Sequence, residues 1–179
     1  LQILWVNLVT DGLPGLALAV EPAERSTMQR PPYSTSRPVI DGAMWRDIVW
    51  VGLVMAAISL AAGAWIAGGA AEDEAYWRTV VFTVLTLAQM GNVLAVRSTR
   101  DSLFRIGLSS NTPLLLAVLL TFVLQLLVVY APPLQAVFAT RPLSLGDLAL
   151  CVAFSSLLFW AIEAKKLLTA WLRTRCRVT

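Results

Sequence analysis

Histidine is absent from the 179 residues, and with it go imidazole ligands and His-based acid–base chemistry. Cysteine is nearly absent. Cys151 lies in an apolar run and Cys176 in a basic tail, which gives no metal or redox spacing and no disulfide scaffold. Charge is scarce as well: 14% of residues are charged, against roughly a quarter in a soluble domain, while 58% are hydrophobic and the mean hydropathy is +0.71. A water-soluble fold could not clothe its surface from this supply. No G-x-x-x-x-G-K-[ST] phosphate loop occurs, and no polar stretch is long enough for a nucleotide-binding domain, so this chain cannot consume ATP alone and offers no catalytic or cofactor-binding residue. The net charge of +3 does not point to nucleic acid, because the basic residues sit beside hydrophobic runs and not on a recognition helix or finger. Leu1 opens directly into an apolar run with no initiator Met and no basic n-region, so the sequence reads as a piece of something longer and not as a signal peptide.

What is present is a series of membrane-length apolar runs. At 1.5 Å per residue, about 20 helical residues cross a hydrocarbon core. Five spans are expected, at residues 1–20, 48–71, 79–96, 113–131 and 143–164, making an all-α transmembrane helix bundle over 1–172 followed by a short basic tail at 173–179. Pro132 and Pro133 close the fourth. The fifth is the weakest by hydropathy, since Asp147 and Glu163 stand near its ends, and Glu163 with Lys165 and Lys166 reads as the ordinary cytoplasmic end of a helix.

The loops give an independent orientation. Arg25, Arg30, Arg37, Arg46, Arg97, Arg100, Arg105, Lys165, Lys166, Arg173, Arg175 and Arg177 all fall on one side of the expected topology. Only Arg78 and Arg141 fall on the other, beside the acidic run Glu72, Asp73 and Glu74. This bias places the C-terminus in the cytoplasm and Leu1 outside. Trp45, Trp50, Trp77, Trp160 and Trp171 lie near expected interfaces, with Trp5 and Trp65 assigned to the outer one. The first cytoplasmic loop, stiffened by Pro22, Pro31, Pro32 and Pro38, is either a plain connector or a docking surface for cytoplasmic parts not contained in the chain.

The polar residues inside the spans carry the chemistry. Asn7, Thr10 and Asp11 have helical offsets of three and four, which would set an amide oxygen, a hydroxyl and a carboxylate on one face. A carboxylate in hydrocarbon is costly unless it is matched by a cation, a proton or a water-lined cavity. Pro14 denies the Thr10 carbonyl its amide partner and Gly12 eases unwinding, so a broken helix with a free carbonyl beside Asp11 is expected. That donor set suits a hard cation such as Ca2+, which takes six to eight oxygens; one helix supplies about half a shell. Two other readings stand beside it: a protonated or helix-paired Asp11 that only fixes packing, and a relay in a secondary transporter. Gln89 and Asn92 share a face of the third span, either as interhelix amides or, for Gln89, as a neutral ligand of the same ion; Gln125 reads as interhelix or interfacial.

The run Leu4-Trp5-Val6-Asn7-Leu8-Val9-Thr10-Asp11-Gly12-Leu13-Pro14 closely resembles the sixth transmembrane helix of P-type calcium-transporting ATPases of the sarcoplasmic-reticulum type. The resemblance continues through Met28-Gln29-Arg30-Pro31-Pro32, Gln89-Met90-Gly91-Asn92, Phe104-Arg105-Ile106-Gly107, Ser110-Asn111-Thr112-Pro113 and Pro142-Leu143-Ser144-Leu145-Gly146-Asp147. It implies that the five spans are helices six to ten of a ten-helix pump, with Asn7, Thr10 and Asp11 as metal ligands. Gln89 matches an eighth-helix position where reticulum pumps carry a glutamate ligand. Glutamine there is similar to plasma-membrane-type calcium pumps, and implies one ion per cycle and a plasma-membrane location. Gly15 stands where many relatives have Ala. By the same resemblance, the remaining N-terminal helices would complete the ion shell, and cytoplasmic domains of the same pump would bind ATP and Mg2+. A secondary cation antiporter or permease is the alternative, and a purely structural bundle a third reading.

Overall fold

The computed structural model describes residues 1–21, 40–68, 73–97 and 111–175, and their side chains except those at 43 and 170–175. The proline-rich loop, Glu72, the loop carrying Arg100 and Arg105, and residues 176–179 of the tail lie outside the described residues. The described chain is all-α. Its elements are α1 (Gln2–Trp5), a π-helical segment (Val6–Asp11), α2 (Gly12–Leu18), α3 (Gly42–Gly68), α4 (Glu74–Val96), α5 (Thr112–Tyr130), α6 (Pro132–Phe138) and α7 (Leu145–Arg175).

Polar caps set several helix starts. Asp41 accepts from the Met44 amide at 2.8 Å, so α3 begins six residues before the expected boundary at 48. Asp73 accepts from the Ala75 amide at 2.9 Å and brings the charged turn Glu74–Arg78 into α4, which was expected to begin at 79. Asn111 caps α5, with Pro113 in its first turn, where a missing amide hydrogen costs nothing. Ser144 and Asp147 cap α7 reciprocally: the Ser144 hydroxyl accepts from the Asp147 amide and donates to its carboxylate. Pro132 and Pro133 do end α5, and they open the short α6.

Four helices, α3, α4, α5 and α7, are long and apolar enough to cross a membrane, and the protein is a multi-pass membrane protein. Large apolar side chains such as Leu53, Leu60, Trp65, Leu116 and Leu157 are exposed on the outside of the bundle. Buried threonines, Gln125 and Glu163 lie within it. That inversion suits lipid as solvent. The central helix is α4: 50% of its most apolar stretch is buried, against 28% for α5 and 22% for α3 and α7.

Three apolar clusters join α4 to its neighbours. Val80, Val84, Leu87 and Met90 meet Ala62, Val129 and Cys151; Ala88 and Ala95 meet Met55, Leu158 and Ile162; Phe82 meets Val6 and Val128. The helices run alternately up and down. At one end Asp47 pairs with Lys165 and Glu21 with Arg97; at the other Gln2 bonds the Phe138 carbonyl and Asp73 pairs with Arg141.

Gly63 marks the closest approach of α3 to α4, since a Cβ there would lie 2.5 Å from the Val81 Cγ2. Valine is stiff at χ1 and cannot easily yield. Gly63→Ala should therefore destabilise the bundle by about 1–3 kcal/mol, read as a lower thermal midpoint of the purified chain in detergent. An unchanged midpoint would show that the two helices are not held that tightly.

Two features of α7 go beyond the expected outline of the last span. It does not end near Ala164: α7 continues to Arg175. Glu163 is not at an exposed helix end but is 1% exposed, bonded by Lys166 at 2.9 Å, and the same ammonium donates to the Ala95 carbonyl in the last turn of α4. The Glu163 charge is met within α7 by Lys166, and Lys166 in turn reaches α4 across the bundle.

Candidate functional site

The first segment breaks one turn earlier than expected. Widening to a π-helix over Val6–Asp11 accommodates Pro14, whose nitrogen cannot donate to the Thr10 carbonyl, and α-helix resumes from Gly12 through Pro14 to Leu18. The backbone there is over-wide and not unwound. Neither Gly12 nor Gly15 is crowded, as nothing lies within 4 Å of a Cβ added at either position.

This geometry separates the three polar side chains instead of gathering them on one face. Asn7 and Asp11 are exposed, while Thr10 is fully buried and donates its hydroxyl to the Val6 carbonyl. A π turn rotates each residue by less than an α turn, so the offset of three that would have aligned Thr10 with Asn7 no longer does. Asn7 and Gln89 border the same space. Both line a cleft of about 440 Å³ between the first segment and α4, walled by Val6, Phe82 and Leu85 and with Arg78 at its outer end. Asp11 lies one π turn beyond Asn7 and makes no ion pair among the described residues. Among those residues no three His, Cys, Asp or Glu side chains cluster to hold a metal, so a shell at Asp11 needs oxygens from elsewhere.

The other polar residues hold helices together. Gln125 is 1% exposed and joins three elements, accepting from the Trp5 indole at 3.2 Å and donating to the Thr83 hydroxyl at 3.4 Å. Trp5 is therefore turned inward against Phe138 and does not float at the outer interface. Asn92 keeps a buried side-chain oxygen that meets no hydrogen-bond donor among the described residues, so it makes no amide bridge through that atom.

A polar knot at the opposite end of the first segment has no counterpart in the sequence reading. The Arg97 guanidinium grips both oxygens of Glu21, with Nη2 at 2.8 Å and Nε at 3.1 and 3.2 Å, and Asn111 donates to the same carboxylate at 2.6 Å. Partners 76 residues apart leave no local signal; the nearest hint is an arginine directly after the last turn of an apolar helix. Burial alone would push the Glu21 carboxyl up, but the hydrogen bonds from Arg97 and Asn111 and the adjacent positive charge outweigh it and hold the group below the ordinary glutamate range. Its contribution to stability is complete above that range and is lost as pH falls toward the lowered folded value. Thermal midpoints taken from neutral to acid pH should drop more steeply for the wild type than for Glu21→Gln; parallel curves would contradict this.

Residues 1–168 match the family described as cation transporting ATPase, C-terminus. The mouse calcium-transporting ATPase type 2C member 2 is 35% identical over 185 residues, covering 100% of this chain and 19% of that protein. The calcium-transporting ATPase of Bacillus subtilis is 36% identical over 157 residues, covering 88% and 18%. Calcium-transporting ATPase 1 of Yarrowia lipolytica is 37% identical over 169 residues, covering 93% and 18%. The chain thus spans less than a fifth of the length of these relatives. With the match running from the π-helical segment to α7, the chain belongs to the family of cation-transporting ATPase C-terminal membrane domains.

Proposed function

We propose that this chain is the C-terminal membrane part of an ATP-driven P-type pump that carries Ca2+. In this reading the α1–π–α2 segment is a fifth span beside the four long helices, and the five correspond to helices six to ten. Residues 1–172 form the membrane domain and 173–179 a basic tail, with the C-terminus in the cytoplasm of a plasma-membrane pump. The observation that carries the reading is the cleft, which Asn7 on a π-distorted segment and Gln89 on α4 both line, with Asp11 one turn beyond Asn7.

The work of these residues follows from their chemistry. The Asp11 carboxylate neutralises the cation as it leaves water, while the Asn7 and Gln89 amide oxygens replace hydration oxygens without adding charge. Thr10 enters the shell only if its buried hydroxyl oxygen is turned toward the ion, since its lone pairs stay free while its hydrogen goes to the Val6 carbonyl, and this couples ligation to the π segment. Release follows when the helices separate these oxygens, and a proton returning to Asp11 offsets the cost of an empty charged site. ATP and Mg2+, held by the cytoplasmic domains of the same pump, would supply the phosphorylation that drives the helix movement.

Uptake of Ca2+ into vesicles by the full-length protein tests this. Transport that requires ATP, together with an Asp-Lys-Thr-Gly-Thr motif upstream, supports the pump; transport driven by an ion gradient without ATP supports the antiporter instead. Gln89→Glu adds a charged oxygen to the cleft and should shift half-saturation for Ca2+ by about tenfold. If half-saturation does not move, Gln89 serves only helix packing.

A further inference from the structure

The knot at the far end of the first segment is placed to do more than join helices. Arg97 follows α4 directly and its side chain is 1% exposed, although arginine at a membrane edge ordinarily reaches into water. Its fork meets the Glu21 carboxylate at both oxygens, the planar geometry in which an arginine–carboxylate pair is most directional. Asn111, 2% exposed, is used on both sides. Its oxygen accepts from the Leu114 amide to cap α5, while its nitrogen donates to Glu21 and, at 3.2 Å, to the Ala17 carbonyl in the last turns of α2. Three elements are thereby fixed at one point.

The lever arms are short. Glu21 stands ten residues after Asp11 and is joined to it by α2; Arg97 stands eight residues after Gln89 on an unbroken α4. α2 and most of the π segment lie between this knot and Asn7. Sliding α2 along α4 by one residue is a displacement of about 1.5 Å, enough to break every bond of the fork.

We propose that Glu21, Arg97 and Asn111 form a positioning clamp that sets the register of the first segment against α4, and through it the placement of Asn7 and Asp11 relative to Gln89 on which cation affinity depends. This rests on the pump reading above. The clamp touches no ion; it acts through the helices that carry the ligands.

The test uses the full-length pump in membrane vesicles, with Glu21→Gln and Arg97→Met alone and together, and Asp11→Asn beside them. Each clamp variant should raise the Ca2+ concentration for half-maximal uptake by about tenfold with the maximal rate nearly unchanged. The double variant should be no worse than either single one, and Arg97→Lys, which keeps the charge and loses the fork, should fall between. A merely structural role would lower the amount of folded pump and leave half-saturation where it was. Unchanged half-saturation in Glu21→Gln, with Asp11→Asn inactive, overturns the clamp and leaves the pump reading intact.

A second measurement does not depend on transport. Spin labels at the exposed positions Leu16 and Val96, in a background lacking Cys176, should give a narrow distance distribution that broadens or shifts in Glu21→Gln. An unchanged distribution overturns the clamp. If Asp11→Asn transports normally while the Glu21→Gln distances shift, the assignment of Asp11 fails and the clamp stands.

Discussion

Asp11→Asn in the full-length pump is expected to abolish Ca2+-dependent uptake and ATP hydrolysis at ordinary ion concentrations. The substitution keeps the shape of the side chain and removes only its charge. Position 11 is exposed on a segment otherwise rich in leucine and valine, and no described residue pairs with it, so the fold gives no packing reason for a carboxylate there. Hard cations grade their affinity by the number of charged oxygens around them, over several orders of magnitude. Losing the carboxylate that Asp11 would offer the ion should weaken binding by about 100-fold or more. The amides of Asn7 and Gln89 can supply oxygen but not charge. Uptake at the wild-type level in Asp11→Asn would return the residue to a packing role.

The largest loss of stability is expected from Lys166→Met. The ammonium bonds Glu163 at 2.9 Å and the Ala95 carbonyl across the bundle, and both charged side chains are nearly excluded from solvent. Methionine fills similar space but leaves the buried carboxylate without the ammonium and the end of α4 without its donor. Breaking such a pair from one side costs about 3–5 kcal/mol. The double variant Glu163→Gln/Lys166→Met should recover much of the loss, because a neutral amide needs no counter-charge. Thermal unfolding in detergent reads both, and a Lys166→Met midpoint equal to that of the wild type would show that the pair is not structural.

These two sites differ in how far the sequence reveals them. The apolar runs, Pro132 and Pro133 as a stop, and Gln125 as an interhelix amide are legible because each follows from its own residues: length, a missing amide hydrogen, a lone amide in an apolar stretch. That Asn7 and Gln89 line one cleft is half legible, since hydropathy puts both in the membrane but only the fold sets the first segment beside α4. Thr10 shows the limit of periodicity. An α-helical offset places it beside Asn7, and the π turn that Pro14 induces moves it into the core. Glu21 and the Glu163–Lys166 pair show a second limit, because the contacts that bury them belong to the bundle. Lys166 matters by reaching Ala95, and Arg97 lies 76 residues from Glu21, so charge counting along the chain sees only helix ends. A carboxylate beside an apolar helix is thus ambiguous until its neighbours across the bundle are known.

Equilibrium binding of radioactive Ca2+ to the purified full-length protein without nucleotide isolates the ion site from the ATP chemistry. The wild type should bind saturably, and Asp11→Asn should show no binding over the same concentration range. Binding by Asp11→Asn with wild-type affinity would contradict a cation held at the π-helical segment.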